Sequence, residues 1–217
     1  MKNLFYKECR LAAHPTSILF LLLSAMLLIP NYPYLVVFFY TSLAIFFVCL
    51  AGRENHDIFY TLSLPVAKRD IVRARFAFSV VLQLAQILIA VPFAVIRSRY
   101  SAPMRANAAG LDANVALFGF AFILLGLFNL TFFTAYYKKP DKVGFAFVRA
   151  TSVTMLFMLA VEASVQIVPF MRDRIDTIDP SFLPQKLLLL LVGLLLYALC
   201  TGLALRKAEK SFEALDL

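Results

Sequence analysis

The chain has 217 residues, 62% of them hydrophobic, with 22 Phe, no Trp and a formal net charge of +8, and its mean hydropathy is +0.82. That much apolar surface is beyond what a soluble core accommodates, so the solvent is a bilayer and a soluble globular domain is excluded. A nucleic-acid reader is excluded too, because the positive charge is not carried by a basic face on a soluble module.

Crossing the ~30 Å hydrocarbon layer takes about 20 apolar residues, and only closed hydrogen-bonded elements persist there. Long apolar runs without period-2 alternation therefore predict helices. The expected fold is all-α, a polytopic membrane protein with six transmembrane helices, over 15–30, 34–51, 76–96, 114–137, 143–170 and 187–205, in a single domain spanning 1–217.

In chain order, residues 1–14 come first. Lys7, Arg10 and His14 recur at i, i+3 and i+7, while Leu4, Phe5, Cys9 and Ala12 lie toward another side. This predicts an amphipathic interfacial helix, basic toward lipid headgroups or a partner. The run 15–30 resembles a signal peptide only superficially: Glu8 sits in its charged lead-in and no small-residue cleavage pattern follows Pro30, so it is read as a retained span. Pro30 and Pro33 bracket a turn so brief that the first two spans are expected to form an antiparallel hairpin.

The charged island 52–75, GRENHDIFYTLSLPVAKRDIVRAR, follows the second span. Asn55 is placed to cap a short helix with Asp57 in its favourable first turn and with Ile58, Phe59 and Leu62 along one apolar edge. Pro65 ends that helix. From Ala67 a second helix runs into the third span, and Lys68, Arg69, Arg73 and Arg75 on it are expected to snorkel to headgroups. The short apolar edge has no domain of its own to cover it, which marks it as a partner site.

Further along, Gly119 and Gly126 stand seven apart on one face of the fourth span and suit close helix packing. The fifth run, about 42 Å long by helical rise, overshoots the bilayer, so Pro169 or its flanks should bend it. Gln83, Gln86, Asn129, Arg149, Glu162 and Gln166 lie within or at the margins of spans. Intramembrane polar groups face a bundle interior or a pathway, and these six are the candidate substrate-pathway residues. Snorkelling is the competing reading for Arg149 and Glu162.

Orientation follows from Lys and Arg. With a cytoplasmic amino terminus, the inner segments hold Lys2, Lys7, Arg10, Arg53, Lys68, Arg69, Arg73, Arg75, Lys138, Lys139, Lys142, Arg206, Lys207 and Lys210, and the outer ones only Arg97, Arg99, Arg105, Arg172 and Arg174. The positive-inside rule then puts both termini and the island in the cytoplasm of a multi-pass cell-membrane protein. Cys9, Cys49 and Cys200 fall near that reducing side and are read as small apolar residues, not disulfides.

The segment Tyr60-Thr61-Leu62-Ser63-Leu64-Pro65-Val66-Ala67-Lys68-Arg69-Asp70-Ile71-Val72, preceded by Glu54 and leading into a span, resembles the cytoplasmic loop of the ABC type-2 permease family. In that loop an acidic residue, a leucine-proline pair, a small residue and a basic residue recur before the third helix. The run Ala67-Lys68-Arg69 departs from the pattern, which more usually carries a serine or threonine with the arginine. The whole chain shares the family's layout of amphipathic amino-terminal helix, six spans and tight first hairpin. The resemblance implies a permease that pairs with a second permease, as a homodimer or with a sister subunit. It also implies docking on cytoplasmic ATP-binding cassette ATPase subunits through a coupling loop between helices 2 and 3. The docking residues it implies are Glu54, Asp57, Phe59 and Tyr60, with Leu64, Pro65 and Arg69 at the elbow; Ile58 and Leu62 join them from the apolar edge.

No Gly-x-x-x-x-Gly-Lys-Ser/Thr phosphate loop occurs among the seven glycines, so ATP and Mg are expected on the partner ATPase, with no cofactor in this chain. Neither the histidines and carboxylates of an intramembrane metalloprotease nor the serine and base of a serine protease occur at working spacing, so no catalytic or metal-ligating residue is assigned. The expected function is the permease subunit of an ATP-binding cassette exporter working by alternating access. The alternative is a non-transporting membrane scaffold or sensor that recruits a cytoplasmic protein through 52–75.

Overall fold

The computed structural model describes residues 2–12, 15–100, 107, 109–177 and 179–215. Every regular element among them is helical. The chain runs through α1 (Lys2–Lys7), α2 (Pro15–Leu22), α3 (Leu35–Glu54), α4 (Asp57–Leu62), α5 (Lys68–Tyr100), α6 (Val115–Tyr136), α7 (Val143–Ile167) and α8 (Leu183–Glu213). His14 and Arg105 fall outside the described residues.

Among the described residues five helices, α3 and α5 to α8, are long and apolar enough to cross a membrane, and Lys2–Arg10 with Pro15–Leu28, at 77° to each other, make a sixth if the pair counts as one span. The expected first span is thus the weakest. Eight α-helical residues from Pro15 and six more in a tighter 3₁₀ turn, Leu23–Leu28, reach about 24 Å, short of the ~30 Å apolar layer. The hairpin after it closes as expected. Asn31 takes the left-handed conformation, φ 56°, which asparagine tolerates better than most residues, and the Tyr34 hydroxyl donates to the Ile29 carbonyl at 3.0 Å.

The long fifth run breaks where proline dictates. α7 ends at Ile167, and Val168 is extended at φ −95° and ψ 112°, the conformation forced on a residue preceding proline. The chain then turns through a π-helical segment, Met171–Ile175. Pro92 lies inside α5 without ending it, as neighbouring helices permit in a membrane bundle.

α6 is the central helix, apolar all round and mostly buried, as a helix surrounded by others must be. α8 lies against it along a glycine seam: a Cβ on Gly193 would stand 2.2 Å from the Gly119 carbonyl oxygen, and one on Gly126 3.0 Å from Tyr197 Cα. Gly119 and Gly126 therefore serve close packing, with Gly193 as the partner on α8. Toward the α4 end the core is aromatic. Phe76 and Phe133 rings lie 4.2 Å apart, Phe128 and Phe132 5.0 Å, and Tyr137 meets Phe212 at 5.3 Å. Much of α7 and α8 carries exposed apolar side chains, Phe145, Leu156, Leu188 and Leu199 among them, as lipid-facing surface does.

The polar loops sort to two ends. At one, α1, α4, the start of α5, the α6–α7 turn and the end of α8 come together. At the other, the Asn107 side-chain amide donates to the Tyr32 carbonyl at 2.9 Å, Asn114 donates to the Ile175 carbonyl at 2.9 Å, and the Asp112 amide donates to the Asp176 carboxylate.

Candidate functional site

α4 hangs between α3 and α5 and is held in place by a buried ion cluster. Lys7 Nζ donates to Asp57 Oδ1 at 2.7 Å and to Thr61 Oγ1 at 3.0 Å. Arg75 Nη2 donates to Asp57 Oδ2 at 2.6 Å and to Glu8 Oε1 at 3.2 Å, and Arg75 Nε lies against Glu8 Oε2. Lys7 also pairs with Glu8 at 3.1 Å. Two cations and two carboxylates thus neutralise one another across the end of α1, the Glu8–Ala12 segment that follows it, α4 and α5. Glu8 is 1% and Arg75 4% exposed, so each depends on its partners, because an unpaired buried charge is strongly destabilising. Partial burial raises the pKa of the Asp57 carboxyl, but Arg75 and Lys7 outweigh it and hold the group below the usual aspartate value. Gly52 leaves the space the guanidinium occupies: a Cβ there would come within 3.3 Å of Arg75 Nη1.

Several expectations change here. Lys7 turns inward to Asp57 instead of toward headgroups, because Glu8 and Asp57 offer it carboxylates. Arg75 is buried and does not snorkel. Lys68, Arg69 and Arg73 are also engaged within the chain. Arg69 Nη2 donates to Glu213 Oε2 at 3.0 Å, Arg73 Nε to Glu209 Oε1 at 2.6 Å, and Lys68 to the Leu215 carbonyl. The i, i+4 spacing of the two arginines on α5 meets the i, i+4 spacing of the two glutamates on antiparallel α8. Asn55 does not cap α4: it follows α3, its amide donating to the Ala51 carbonyl at 2.9 Å, and the left-handed His56, φ 52°, opens α4 without a side-chain cap bond.

The expected apolar edge is split. Ile58 and Leu62 pack against the core, because that side of the short helix faces the bundle. Phe59, Tyr60 and Leu64 project outward, 49%, 66% and 41% exposed. Beside Phe59 is a hollow of about 120 Å³ bounded by His56, Ile58, Pro140 and Asp141. Glu54 pairs loosely with Arg53 at 3.4 Å, and Pro65 is exposed at the elbow.

Within the bundle, Gln83 and Asn129 exchange hydrogen bonds at 2.7 and 3.0 Å, Tyr197 donates to Gln83 Oε1 at 2.7 Å, and Asn129 donates to Thr201 at 3.0 Å. Gln86 donates to Ser24 Oγ at 2.8 Å. Gln83, Gln86 and Asn129 are fully buried, so they face helix seams. Tyr197, Thr201 and Ser24 escaped sequence reading because hydroxyls are common in membrane helices. Glu162 meets the far loop: its Oε2 accepts from the Leu111 amide at 3.0 Å, and a Cβ on Gly110, at φ 147°, would collide with it at 1.4 Å. Arg149 and Gln166 are exposed along α7, apart from the other four.

A bundle of apolar helices with one short helix clasped at its polar end defines an integral membrane protein. The sequence profile described as ABC-2 family transporter protein matches residues 3–207, so the chain belongs to that family. Membership makes it the membrane-embedded, non-catalytic subunit of an ABC transporter, whose cytoplasmic ATPase is a separate partner. Comparison with curated proteins and with solved structures found no match.

Proposed function

We propose that this permease is an exporter subunit in which α4 is the coupling helix and the loop 52–75 receives the ATPase. The observation that carries the reading is the pairing of an exposed aromatic face, Phe59 and Tyr60, with a rigid inner side clasped by Lys7, Glu8 and Arg75. A contact element must present anchors outward and transmit force inward, and α4 does both. Movement of an ATPase against Phe59 would carry α1, α4 and the start of α5 as one body, biasing a two-state bundle between inward-open and outward-open forms. ATP and Mg would act on the partner.

The excess of Lys and Arg at the α4 end supports a cytoplasmic location for that end and for both termini in the cell membrane. A second permease, a copy of this chain or a sister, would complete the pathway. Arg149 and Gln166, exposed on α7, are the polar residues best placed to face it, and Glu162 would act from the far end.

Anchoring contacts concentrate in a few aromatic and apolar side chains, where truncation costs about 2 kcal/mol or more. Phe59→Ala should therefore cut ATPase capture in detergent by at least about tenfold, while Lys68→Ala leaves capture near the starting level. Full capture by Phe59→Ala would remove α4 as the docking element.

A further inference from the structure

Far from α4, α5 and α8 part over α6 and leave a cleft of about 470 Å³. That volume lies in the range of small-molecule sites. Its walls are Ile87, Val91 and Val95 of α5, Phe118 and Phe122 of α6, and Leu190 of α8. The polar lining gathers at one end, where Ser98, Asn114, Asp179 and Lys186 stand. Val91 and Val95 are also open to the outside, at 42% and 44%, so the cleft can be entered sideways from the bilayer.

Lys186 is the informative residue. It is 3% exposed, and two of its three donors go to the Thr177 and Asp179 carbonyls. Among the described residues no carboxylate lies within salt-bridge distance of it. The Asp179 carboxylate, exposed, accepts from the Ser181 amide at 2.9 Å. The Asp179 and Asp176 carboxylates act on it only from beyond salt-bridge distance, and a buried ammonium without a direct ion pair has its desolvation incompletely offset.

We infer that this cleft binds an anionic phospholipid, an acyl chain against the α5, α6 and α8 walls and the phosphate toward Lys186. The apolar walls disfavour a free inorganic anion, and Lys186 disfavours an uncharged hydrocarbon alone. The site lies apart from the docking face. It makes the leaflet's anionic lipid a structural ligand at the end of the bundle opposite α4.

The chain has no Trp, so one introduced indole is a clean reporter. Val95→Trp places it on the cleft wall, and Leu199→Trp places it on exposed α8 surface as a control. Each full-length variant is reconstituted in bilayers containing acyl-brominated phosphatidylglycerol or acyl-brominated phosphatidylcholine. At Val95→Trp, quenching should report about a fivefold preference for phosphatidylglycerol, the scale of one lysine acting on an anionic headgroup. At Leu199→Trp the two lipids should quench equally. Lys186→Gln and, separately, Lys186→Met in the Val95→Trp background should erase the preference, and Lys186→Arg should keep it. Equal quenching by both lipids at Val95→Trp, or a preference that survives loss of the Lys186 charge in either folded variant, overturns the assignment.

Discussion

At the scale of single residues, Glu8 and Arg75 decide how firmly α4 is held. Removing one partner of a buried pair leaves the other charge uncompensated, at about 3 to 5 kcal/mol. Glu8→Gln should thus lower thermal stability markedly, and adding Arg75→Gln should cost less than the two single changes together; additive losses in a double-mutant cycle would show the pair uncoupled. Asp57 works in the opposite pH direction from Asp176. Its depressed pKa means that its contribution is present above the ordinary aspartate range and is lost as pH falls through the folded value. Burial, with Asp112 and Glu162 nearby, pushes Asp176 up to about 7 despite the Asp112 amide bond and the Lys186 charge. The folded chain therefore holds a proton that the unfolded chain has released, so stability falls as pH rises from the ordinary aspartate value of 3.8 to about 7. Asp176→Asn keeps the acceptor for the Asp112 amide without the charge. It should raise stability at pH 8 by about 1 kcal/mol, a fraction of the full shift because the loop lies near water, and change little at pH 4. A melting temperature at pH 8 that does not rise would remove Asp176 from the titrating groups.

At the scale of elements, the α6–α8 seam depends on the absence of side chains. Gly193→Ala sets a methyl 2.2 Å from the Gly119 carbonyl oxygen, and forcing atoms into a packed seam costs about 1 to 3 kcal/mol. A methyl on Gly202 of the same helix would meet nothing within 4 Å, so Gly202→Ala should be neutral or mildly stabilising through helix propensity. Detergent melting curves on the two variants test the contrast; a Gly193→Ala protein as stable as Gly202→Ala would mean that the helices part freely. The α5–α8 clasp of Arg69 with Glu213 and Arg73 with Glu209 is more exposed and belongs to the class of pairs worth about 1 kcal/mol or less.

At the scale of the whole molecule, the two polar ends give the topology a direct test. In a chain with Cys9, Cys49 and Cys200 replaced, Asp173→Cys, exposed at the far end, should react with an impermeant thiol reagent in sealed cells. Ser63→Cys, exposed beside Leu64, should react only after permeabilisation. Labelling of Ser63→Cys from outside would invert the proposed orientation and place α4 out of reach of any ATPase.

Solvent choice, helix count to within one span, the tight first hairpin and the break before Pro169 were all legible in the sequence. Each follows from local rules: apolar length against bilayer thickness, and the backbone limits of proline. The position of α4 was legible for the same reason, since Pro65 and the flanking polar residues bracket it. The inward turn of Ile58 and Leu62, the burial of Arg75 against Glu8, and the pairing of Arg69 and Arg73 with α8 were not. Those partners lie between 67 and 144 residues away along the chain, and a basic residue beside a span carries the same local pattern whether it meets a headgroup or a distant glutamate. Only the packed bundle decides between them: for Arg75 burial removes water as a competitor and leaves Glu8 and Asp57 to satisfy the charge, while for the exposed Arg69 and Arg73 the packing of α8 beside α5 brings Glu213 and Glu209 within reach.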